Sequence, residues 1–534
     1  MRRTTLAAAL SAAVALTAAV AMPTAEAAPH GALRPVLNSA KPLPPTLPMT
    51  APPVNRSLAP GVTLSTLTFG KKNADDFWTV HVYLPADPSG PLGKAALELG
   101  PRATADRVAD ALRQQGFVPR VEEVRSPAYA DLPAGTLGWT VRVGGYAERA
   151  DATAQLAKVK AAGFTGDTRY TAQDGTDLKA PQKVFVLRVD FSRFKGNVGT
   201  EFGPTLHGTE PATELIKDAN ALAGINGQWF YNDAPGGLFV RDGKVLASAT
   251  QGRGAILLTD GGRDVRVDAL TAHLTLRTPR GAIEEIDGVN RIPGDVWNCG
   301  GVGGDTPTEK PQHDFECTDP SELVQFTPEW GAPPTGAGAE VVLDKDQEVV
   351  ALNSSRGATV PPGGSTLQAI GDTADWLVDH VRVGDRLGVT TRVNDSYGRP
   401  VPLTPDTTIM QVGPTLVRHG KVSVNAMADG IIRSGADQSF TYDWTNRSNP
   451  RSMMGVDDQG RLMLVVVDGR QAGYSEGLSI AHTADLMRQL GAREALNLDG
   501  GGSSVMVTAG DGVINRPSDS SGERSLGDAW VIKP

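Results

Sequence analysis

The sequence has few of the features that mark nucleic-acid-binding or membrane-spanning proteins. Its 534 residues include 51 Lys and Arg against 60 Asp and Glu, which gives a net charge of −9. No cluster of basic residues interleaved with aromatics occurs, so a protein that coats nucleic acid is not expected. Beyond Met22, no apolar run is long enough to span a bilayer. The chain is too long for one ordinary domain and can bury a sizeable core.

Cysteine is also scarce, with only Cys299 and Cys317 present. In an exported chain, two cysteines this close in sequence predict one disulfide that closes a local loop. Two buried thiols are the alternative. His313 is the only histidine near them, and these three residues are an incomplete ligand set for zinc. No cofactor is predicted, and dependence on a divalent metal is left open.

The first 27 residues have the composition of a secretory signal peptide. Two arginines precede an apolar run that ends at Met22, and Ala25-Glu26-Ala27 fits a cleavage site. A membrane anchor is the alternative, although the run is short and rich in alanine. The protein is therefore expected to be secreted. Residues 28–73 begin with a proline-dense stretch and are predicted to be an extended linker.

A short internal repeat occupies residues 74–178. Trp78 begins the alternating run WTVHVYL and Trp139 begins WTVRVGGY, each typical of a strand. Each run is followed by a segment with helical spacing of apolar residues that ends in Gly-Phe, at Phe117 and Phe164, and then by a further apparent strand. Two such halves predict a small ferredoxin-like βαββαβ domain, with four strands and two helices on one face.

This segment resembles the SPOR domain, a peptidoglycan-binding module of bacterial envelope proteins. The resemblance is closest in WTVRVGGYAERADATAQLAKVKAAGF, and an insertion before Trp139 departs from it. It implies binding to peptidoglycan glycan strands that lack stem peptides, on the exposed face of the sheet. A packing or dimerisation domain of the same shape is the alternative.

The remaining residues, 181–534, are rich in Gly and Asp and dominated by short alternating runs such as KVFVLRVDF and GRLMLVVVDGR. Residues 209–224 and 479–492 have helical spacing, with a Thr or Ser cap at the start and a glycine near the end. The expected fold class is α+β, in which the small ferredoxin-like domain precedes a large sheet-rich domain with a few covering helices.

The most unusual stretch is ALNLDGGGSSVMV, residues 495–507. It follows a predicted helix and a short apolar strand, which places Asp499 at a strand end. The glycines would let several backbone N–H groups converge as an anion-binding nest, and Ser503 and Ser504 would add hydroxyl donors. It is not a Walker loop, because the lysine is absent and the glycine spacing differs. A purely structural loop is the alternative.

Several motifs, taken in order, resemble the phosphodiester glycosidase family. They are ALAGINGQWFY, the VGP of residues 412–414, Arg451 with MGVDDQGRLMLVVVDGR, SEGLSIAHTADLMRQLGAREALNLDGGGSSVMV, and the GER of the tail. The resemblance covers essentially all of residues 181–534 and implies hydrolysis of the bond between an anomeric carbon and a phosphate. Gln228 and Trp229 replace the family's glycines after Asn226, so the pocket near that loop is expected to differ.

The resemblance also suggests roles for individual residues. Arg451 and Arg524 would clamp the phosphate. Asp499 would act as nucleophile or as electrostatic stabiliser of positive charge at the anomeric carbon, and Asn226 would orient the sugar or a water. Asp468 is a second carboxylate, open to acid–base work or to a turn role. The predicted substrate-binding residues are Gly500, Gly501, Ser503, Ser504, Arg524 and Asp468.

Together these features predict a secreted, cell-wall-associated hydrolase that acts on a sugar-1-phosphodiester of the cell envelope and is tethered to peptidoglycan by the SPOR-like domain, residues 74–178. Its substrate would be a carbohydrate phosphate. An ordinary glycoside hydrolase and a non-catalytic wall-binding protein are the alternatives.

Overall fold

The repeat of residues 74–178 folds as the sequence predicts. In this computed structural model, four strands and two helices follow one another in βαββαβ order. Neighbouring strands are antiparallel, in the order second, third, first, fourth, which is a ferredoxin-like arrangement. We call this part the ferredoxin-like unit. Its strands are Trp78–Val82, Pro119–Ser126, Gly135–Tyr146 and Gly166–Tyr170, and its helices are Arg102–Gln114 and Arg149–Ala161.

The structure describes residues 47–175, 179–231, 234–248, 252–297, 303–307, 316–432 and 438–534. The predicted signal peptide and Cys299 lie outside these ranges. Export and the disulfide to Cys317 therefore stay predictions. Among the described helices, none has the length and apolar character needed to cross a membrane.

The middle of the ferredoxin-like unit's sheet is buried on both faces. One face packs on the two helices through apolar residues such as Val80 and Val141. Side chains alternate along a strand, so the residues between them point the other way. Those in the middle of the sheet, such as His81 and Arg142, are also buried, because residues 438–447 lie over them. The expectation that this face is exposed to glycan is therefore wrong.

An eight-stranded antiparallel sheet forms one layer of the large domain. Its first two strands, Val54–Ala59 and Val62–Phe69, precede the ferredoxin-like unit, and the second pairs along its whole length with Gln182–Val189. The prediction of a linker over residues 28–73 is therefore wrong for these strands, whose alternation was obscured by the preceding prolines. The order of the sheet is Val54–Ala59, Val62–Phe69, Gln182–Val189, Leu462–Val467, Arg451–Asp457, Ala492–Asn497, Thr415–Arg418 and Lys421–Val422.

A five-stranded antiparallel sheet packs against this layer. The core between them joins Leu187 and Leu464 of the first sheet to Ile225 and Trp530 of the second. The order of the second sheet is Gly512–Val513, Met506–Thr508, Ala223–Asn226, Asp528–Lys533 and Asn197–Phe202.

Two helices accompany this pair of sheets. Helix Ile480–Gln489 begins at the predicted Ser479 cap, whose hydroxyl accepts from the His482 amide. The other, Ala212–Asp218, is shorter than predicted, because Ala223–Asn226 is held as a central strand between two partners.

Further sheets complete the large domain, and most of their strands are far from the glycine-rich loop in the sequence. A seven-stranded sheet contains Lys244–Ala247, Phe239–Arg241, Thr408–Gln411, Arg253–Thr259, Asp264–Arg277, Ile283–Ile286 and Gly388–Asn394. A five-stranded sheet contains Gly288–Val289, Leu323–Phe326, Ser365–Ala369, Gly336–Leu343 and Val349–Arg356, with the helix Gly371–His380 beside it. Small sheets pair Phe230–Tyr231 with Ala234–Pro235, Ser525–Leu526 with Glu210–Pro211, and Glu316–Thr318 with Asp295–Trp297 and Thr306–Pro307.

Candidate active site

The glycine-rich loop crosses from one layer of the large domain to the other. Strand Ala492–Asn497 belongs to the eight-stranded sheet, and Met506–Thr508 belongs to the five-stranded sheet. Between them the chain makes one short helical turn, Gly501–Ser503. Asp499 therefore stands at a strand end, as the sequence predicts, at the point where the two sheets meet.

The Asp499 carboxylate is partly buried and held in a defined orientation. Its Oδ1 accepts a hydrogen bond from the Gly500 amide at 2.8 Å. Desolvation raises the pKa of Asp499 to about 6, although the Ser503 hydroxyl, the Gly500 amide and the charge of Arg524 all favour the ionised form. Near neutral pH this carboxylate is ionised, and it can take up a proton in mild acid.

Asn226 lies beside Asp499 but uses its amide to hold the loop. Its Nδ2 donates to the Asp499 carbonyl oxygen at 2.8 Å. Its Oδ1 accepts from the Ser452 hydroxyl at 2.6 Å and from the Val505 amide at 3.3 Å. These bonds let Asn226 position Asp499, and the expected role in orienting a sugar or a water stays a prediction.

Arg451 is a buried guanidinium that forms no ion pair with a carboxylate of the described residues. Its Nε donates to the Leu478 carbonyl oxygen at 2.8 Å, and the guanidinium lies 4.9 Å from the centre of the Trp444 ring. Nη1 has no hydrogen-bond partner in the described part of the chain. Burial, with the like charge of Arg470, lowers the pKa of Arg451 to about 9. A buried cation with an unused donor is suited to an anionic ligand.

Two further arginines border the loop, and at Gly502 the absence of a side chain leaves room for one of them. A Cβ at Gly501 would lie 3.4 Å from both terminal nitrogens of Arg470, and one at Gly502 would lie 2.3 Å from Nη2 of Arg524. The side chain of Arg524 is 49% exposed and pairs with Asp519 at 2.8 Å. Together with Arg451, these residues form what we call the arginine cluster.

The loop amides do not form the predicted anion nest. The Gly501 amide donates to the Pro450 carbonyl oxygen at 3.0 Å, and the amides of Ser503 and Ser504 donate to carbonyl oxygens within the turn. With the Gly500 amide bonded to Asp499, these donors are already used. Gly502 therefore admits the Arg524 guanidinium, and the amides of Gly500 and Gly501 are not free to bind an anion. The Ser504 hydroxyl is buried and has no partner among the described residues.

Asp468, predicted as substrate-binding, is a buried structural anchor. Its oxygens accept from the Tyr474 hydroxyl at 3.0 Å, from Asn515 Nδ2 at 2.9 Å and from the Arg516 amide at 3.0 Å. These bonds fix the segment that follows Gly512–Val513 and occupy both carboxylate oxygens, which favours a structural role for Asp468 over substrate binding.

A second carboxylate, Asp528, lies beside Asp499 and was not predicted from the sequence. It is buried, and Gln228 donates to its two oxygens through its backbone amide and its side chain, both at 2.9 Å. Burial raises the pKa of Asp528 to about 7, and the negative charge of Asp499 contributes to the rise. The available sequence indication was an acid that immediately precedes the apolar run AWVI, four residues after the last residue of the GER motif. Gln228, where the sequence departs from the family, thus has a defined partner.

Aromatic rings line one side of the arginine cluster. The Trp229 and Trp444 rings lie 5.8 Å apart in an edge-on arrangement, and the Arg253 guanidinium lies 5.7 Å from the centre of the Trp229 ring. Such rings can stack against the apolar face of a sugar. Trp229 therefore adds an aromatic surface where the family has glycine.

A separate acidic group lies near the five-stranded sheet of Gly288–Val289. Oxygens of Asp305, Asp319 and Glu322 lie within 4.8 Å of one another. Glu322 is already paired with the Arg291 guanidinium and accepts from the Gly294 amide at 2.6 Å. This group is not part of the Asp499 site, and we assign it no metal.

Comparison with known proteins gives matches to two family models. Residues 337–533 match the phosphodiester glycosidase model, and residues 96–167 match the SPOR domain model. N-acetylglucosamine-1-phosphodiester alpha-N-acetylglucosaminidase of Mus musculus is 30% identical over 122 residues, which is 22% of this chain and 22% of that protein. The match thus spans less than a quarter of the mouse protein.

Solved structures match over more of the chain. A crystal structure from Burkholderia pseudomallei K96243, named "Putative exported protein", is 33% identical, with a TM-score of 0.81 over 92% of this chain and 98% of that one. A hypothetical protein from Synechocystis is 18% identical, with a TM-score of 0.52 over 90% of this chain and 76% of that one, and shares the fold. With the motifs and the fold in place, residues 337–533 belong to the phosphodiester glycosidase family and residues 96–167 to the SPOR domain family.

Proposed function

We propose that this protein hydrolyses the bond between an anomeric carbon and a phosphate in a sugar-1-phosphodiester. The observation that carries the proposal is the buried Arg451, with an unused donor and no carboxylate partner in the described chain, next to the loop that carries Asp499. A buried cation without a counter-ion is unfavourable unless a ligand supplies one. A phosphodiester supplies the negative counter-charge. It does so directly beside the anomeric carbon, which becomes cationic as the bond breaks.

The chemistry follows from how the two charges are placed. The leaving group is a phosphate monoester, which is already stable as an anion, so its protonation matters less than in an ordinary glycoside. The arginine cluster would hold its oxygens through charge-assisted hydrogen bonds. Asp499, ionised near neutral pH, would attack or stabilise the anomeric carbon as positive charge develops there. Asp528, whose pKa is about 7, would keep a proton part of the time and limit repulsion within the site.

A paired-substrate assay tests the reaction class. A glycosyl-1-phosphodiester and the matching simple glycoside, with the same sugar and anomeric configuration, are offered to the same enzyme preparation. We expect cleavage of the phosphodiester alone. Cleavage of only the simple glycoside would instead identify an ordinary glycoside hydrolase.

The Asp499→Asn variant tests the central residue. Asparagine keeps an oxygen that can accept from the Gly500 amide, so the loop should fold normally, while kcat should fall by about a thousandfold or more. Asp511→Asn is a matched control, since Asp511 is exposed and, among the residues that the structure describes, its carboxylate pairs only with Arg56 and Thr508. Unchanged turnover in Asp499→Asn would remove the basis of the proposal.

We further propose that the enzyme works in the cell envelope. The support is the SPOR domain match, the predicted signal peptide of residues 1–27, and the name of the Burkholderia relative. Sedimentation of the full chain with purified peptidoglycan measures this association. Strong pelleting without turnover of any sugar phosphate would favour the non-catalytic wall-binding alternative.

A further inference from the structure

The polar face of the ferredoxin-like sheet is held against residues 438–449 of the large domain by two arginines. Arg142, already paired with a carboxylate of its own unit, donates to the Tyr442 hydroxyl at 2.9 Å. Arg169 donates to Asp443 at 3.1 Å. The two side chains are only 4% and 11% exposed. Opening the contact costs each arginine one charge-assisted hydrogen bond, while Asp174 stays paired with Arg142, and Glu98 and Asp167 stay paired with Arg169.

The insertion that interrupts the SPOR resemblance makes a second attachment. Within residues 127–134, the Asp131 carboxylate accepts from the amides of Met427 and Ala428 at 2.9 and 2.8 Å. The Ala130 amide donates into the same region of the large domain. The departure from the SPOR pattern is therefore a site of contact between the two parts of the chain.

The segment held in this way contacts the arginine cluster directly. Arg451 donates through Nη2 to the Trp444 carbonyl oxygen and lies over the Trp444 ring. Asn449 Nδ2 donates to the Asp443 carbonyl oxygen at 2.7 Å, and Asn449 Oδ1 accepts from Arg470 Nε at 2.9 Å. A continuous set of hydrogen bonds thus leads from the ferredoxin-like sheet to two of the three cluster arginines.

We infer that the polar face of the ferredoxin-like sheet is an intramolecular docking surface that positions Arg451 and Arg470, and is not a surface that binds glycan. Arg142 and Arg169 are positioning residues, because they act through Tyr442 and Asp443. The consequence for turnover rests on the proposed function, whereas the docking itself does not. Any glycan contact made by the SPOR-matching region uses a different surface.

The test compares full-length variants that loosen the docking with one that does not. Arg169→Gln removes the charge that faces Asp443 and, within the unit, the pairing with Glu98 and Asp167. Tyr442→Phe removes only the hydroxyl that accepts from the other arginine, so it loosens the docking without touching those pairs. Arg113→Gln is the matched control, because that side chain is 53% exposed and lies on a helix of the opposite face. Each protein is examined by amide hydrogen exchange over residues 438–449, by kcat and KM on a sugar-1-phosphodiester, and by sedimentation with purified peptidoglycan.

We expect Arg169→Gln to speed exchange over this segment by about tenfold or more and to lower kcat/KM by a similar factor. Tyr442→Phe should act in the same direction and less strongly, while the control matches the wild type. Pelleting with peptidoglycan should be the same for all four proteins. Unchanged exchange in both docking variants would overturn the inference, and so would lost pelleting in Arg169→Gln with normal exchange. Faster exchange with normal kcat/KM would overturn the positioning role.

A pH profile separates positioning from general loosening. The pKa of Arg451 is set by burial and the charge of Arg470, which lower it, and by Tyr129 and Asp443, which raise it. Asp443→Asn removes one raising charge, so the alkaline loss of activity should begin at a lower pH than in the wild type. An alkaline limb that does not move would overturn the positioning role. If the wild type cleaves no sugar phosphodiester, the proposed function fails. Amide hydrogen exchange and sedimentation with peptidoglycan still test whether the sheet face is a docking surface.

Discussion

Asp499 is the residue on which the proposed chemistry depends, and its protonation gives a direct test. Desolvation raises its pKa to about 6, against the hydrogen bonds of Ser503 and Gly500 and the charge of Arg524. A carboxylate that attacks or stabilises a cationic carbon must be ionised. We therefore expect kcat/KM to fall below about pH 6, approaching about tenfold per pH unit, and to level off above it.

The matched control for this acid limb is Asp511→Asn. The hydrogen bond and ion pair with Arg56 hold the pKa of Asp511 at about 2, well below the expected limb. The pH–rate profile of this variant should superimpose on that of the wild type. A wild-type profile that stays level to well below pH 6 would contradict the assignment of Asp499.

Asp528 leads to a prediction about stability rather than turnover. Burial raises its pKa to about 7 from an ordinary value of 3.8, with Gln228 opposing the shift and Asp499 adding to it. Between these values unfolding releases a proton, so the group's contribution to stability is lost as pH rises through about 7. Asp528→Asn removes that loss. Its free energy of unfolding should exceed that of the wild type by about 1–3 kcal/mol above the folded-state pKa.

Chemical denaturation at a pH above 7 and at one near 4 checks this prediction. Near pH 4 the side chain at position 528 is neutral in the folded state of both proteins. The difference in free energy of unfolding between Asp528→Asn and the wild type should therefore nearly vanish. A variant that is less stable at the higher pH would show that Gln228 depends on the carboxylate charge.

At the scale of elements, the glycine-rich loop matters because it leaves space for arginine side chains. A Cβ at Gly502 would meet Nη2 of Arg524 at 2.3 Å and the Asp519 carboxylate at 2.5 Å. These are the far ends of flexible side chains, so Gly502→Ala should unfold within about 1 kcal/mol of the wild type. It should nonetheless displace Arg524 and lower kcat/KM by about tenfold or more.

Gly510→Ala is the control for this change, since a Cβ there would meet nothing within 4 Å. It should leave kcat/KM unchanged. Normal kinetics in Gly502→Ala would show that Arg524 does not need its present position.

The same scale shows what local sequence could predict. Asp499 falls at a strand end and Ile480–Gln489 is a helix, because alternation and capping are local properties of the chain. Helical spacing over residues 209–224 was misleading, since Ala223–Asn226 pairs with two strands that lie far away in sequence. Asp528 was missed for a similar reason, because only the fold places it beside Asp499.

At the scale of the whole molecule, the ferredoxin-like unit is inserted between two neighbouring strands of the eight-stranded sheet, Val62–Phe69 and Gln182–Val189. Phe69 pairs with Gln182 although more than a hundred residues separate them. The proline-dense stretch suggested a linker because no pattern in one sequence shows a pairing across such a distance. The two matched domains are therefore not independently folded units in succession, since strands from both sides of the SPOR-matching region share one sheet.

This arrangement predicts how fragments of the protein behave. A fragment of residues 181–534 lacks the strand Val62–Phe69, whose four core residues, Val62, Leu64, Leu67 and Phe69, are all buried. Each such side chain contributes about 1.5–3 kcal/mol, so the loss is comparable with the stability of a whole domain, about 5–15 kcal/mol. The strand Gln182–Val189 would also become an unpaired edge. We expect this fragment to aggregate or to melt without cooperativity, as followed by calorimetry and size-exclusion chromatography.

The informative comparison is a chain in which residues 72–179 are replaced by a short Gly-Ser turn. Phe69 and Gln182 are cross-strand partners, so their Cα atoms lie within about 4.5–5.5 Å and a few residues can join them. This chain keeps the eight-stranded sheet and should melt cooperatively, but it lacks the docking surface for residues 438–449 and should lose most of its activity. A soluble, cooperatively folding fragment of residues 181–534 would show instead that the strands before the ferredoxin-like unit are dispensable. An internally shortened chain with full activity would show that the large domain positions the arginine cluster by itself.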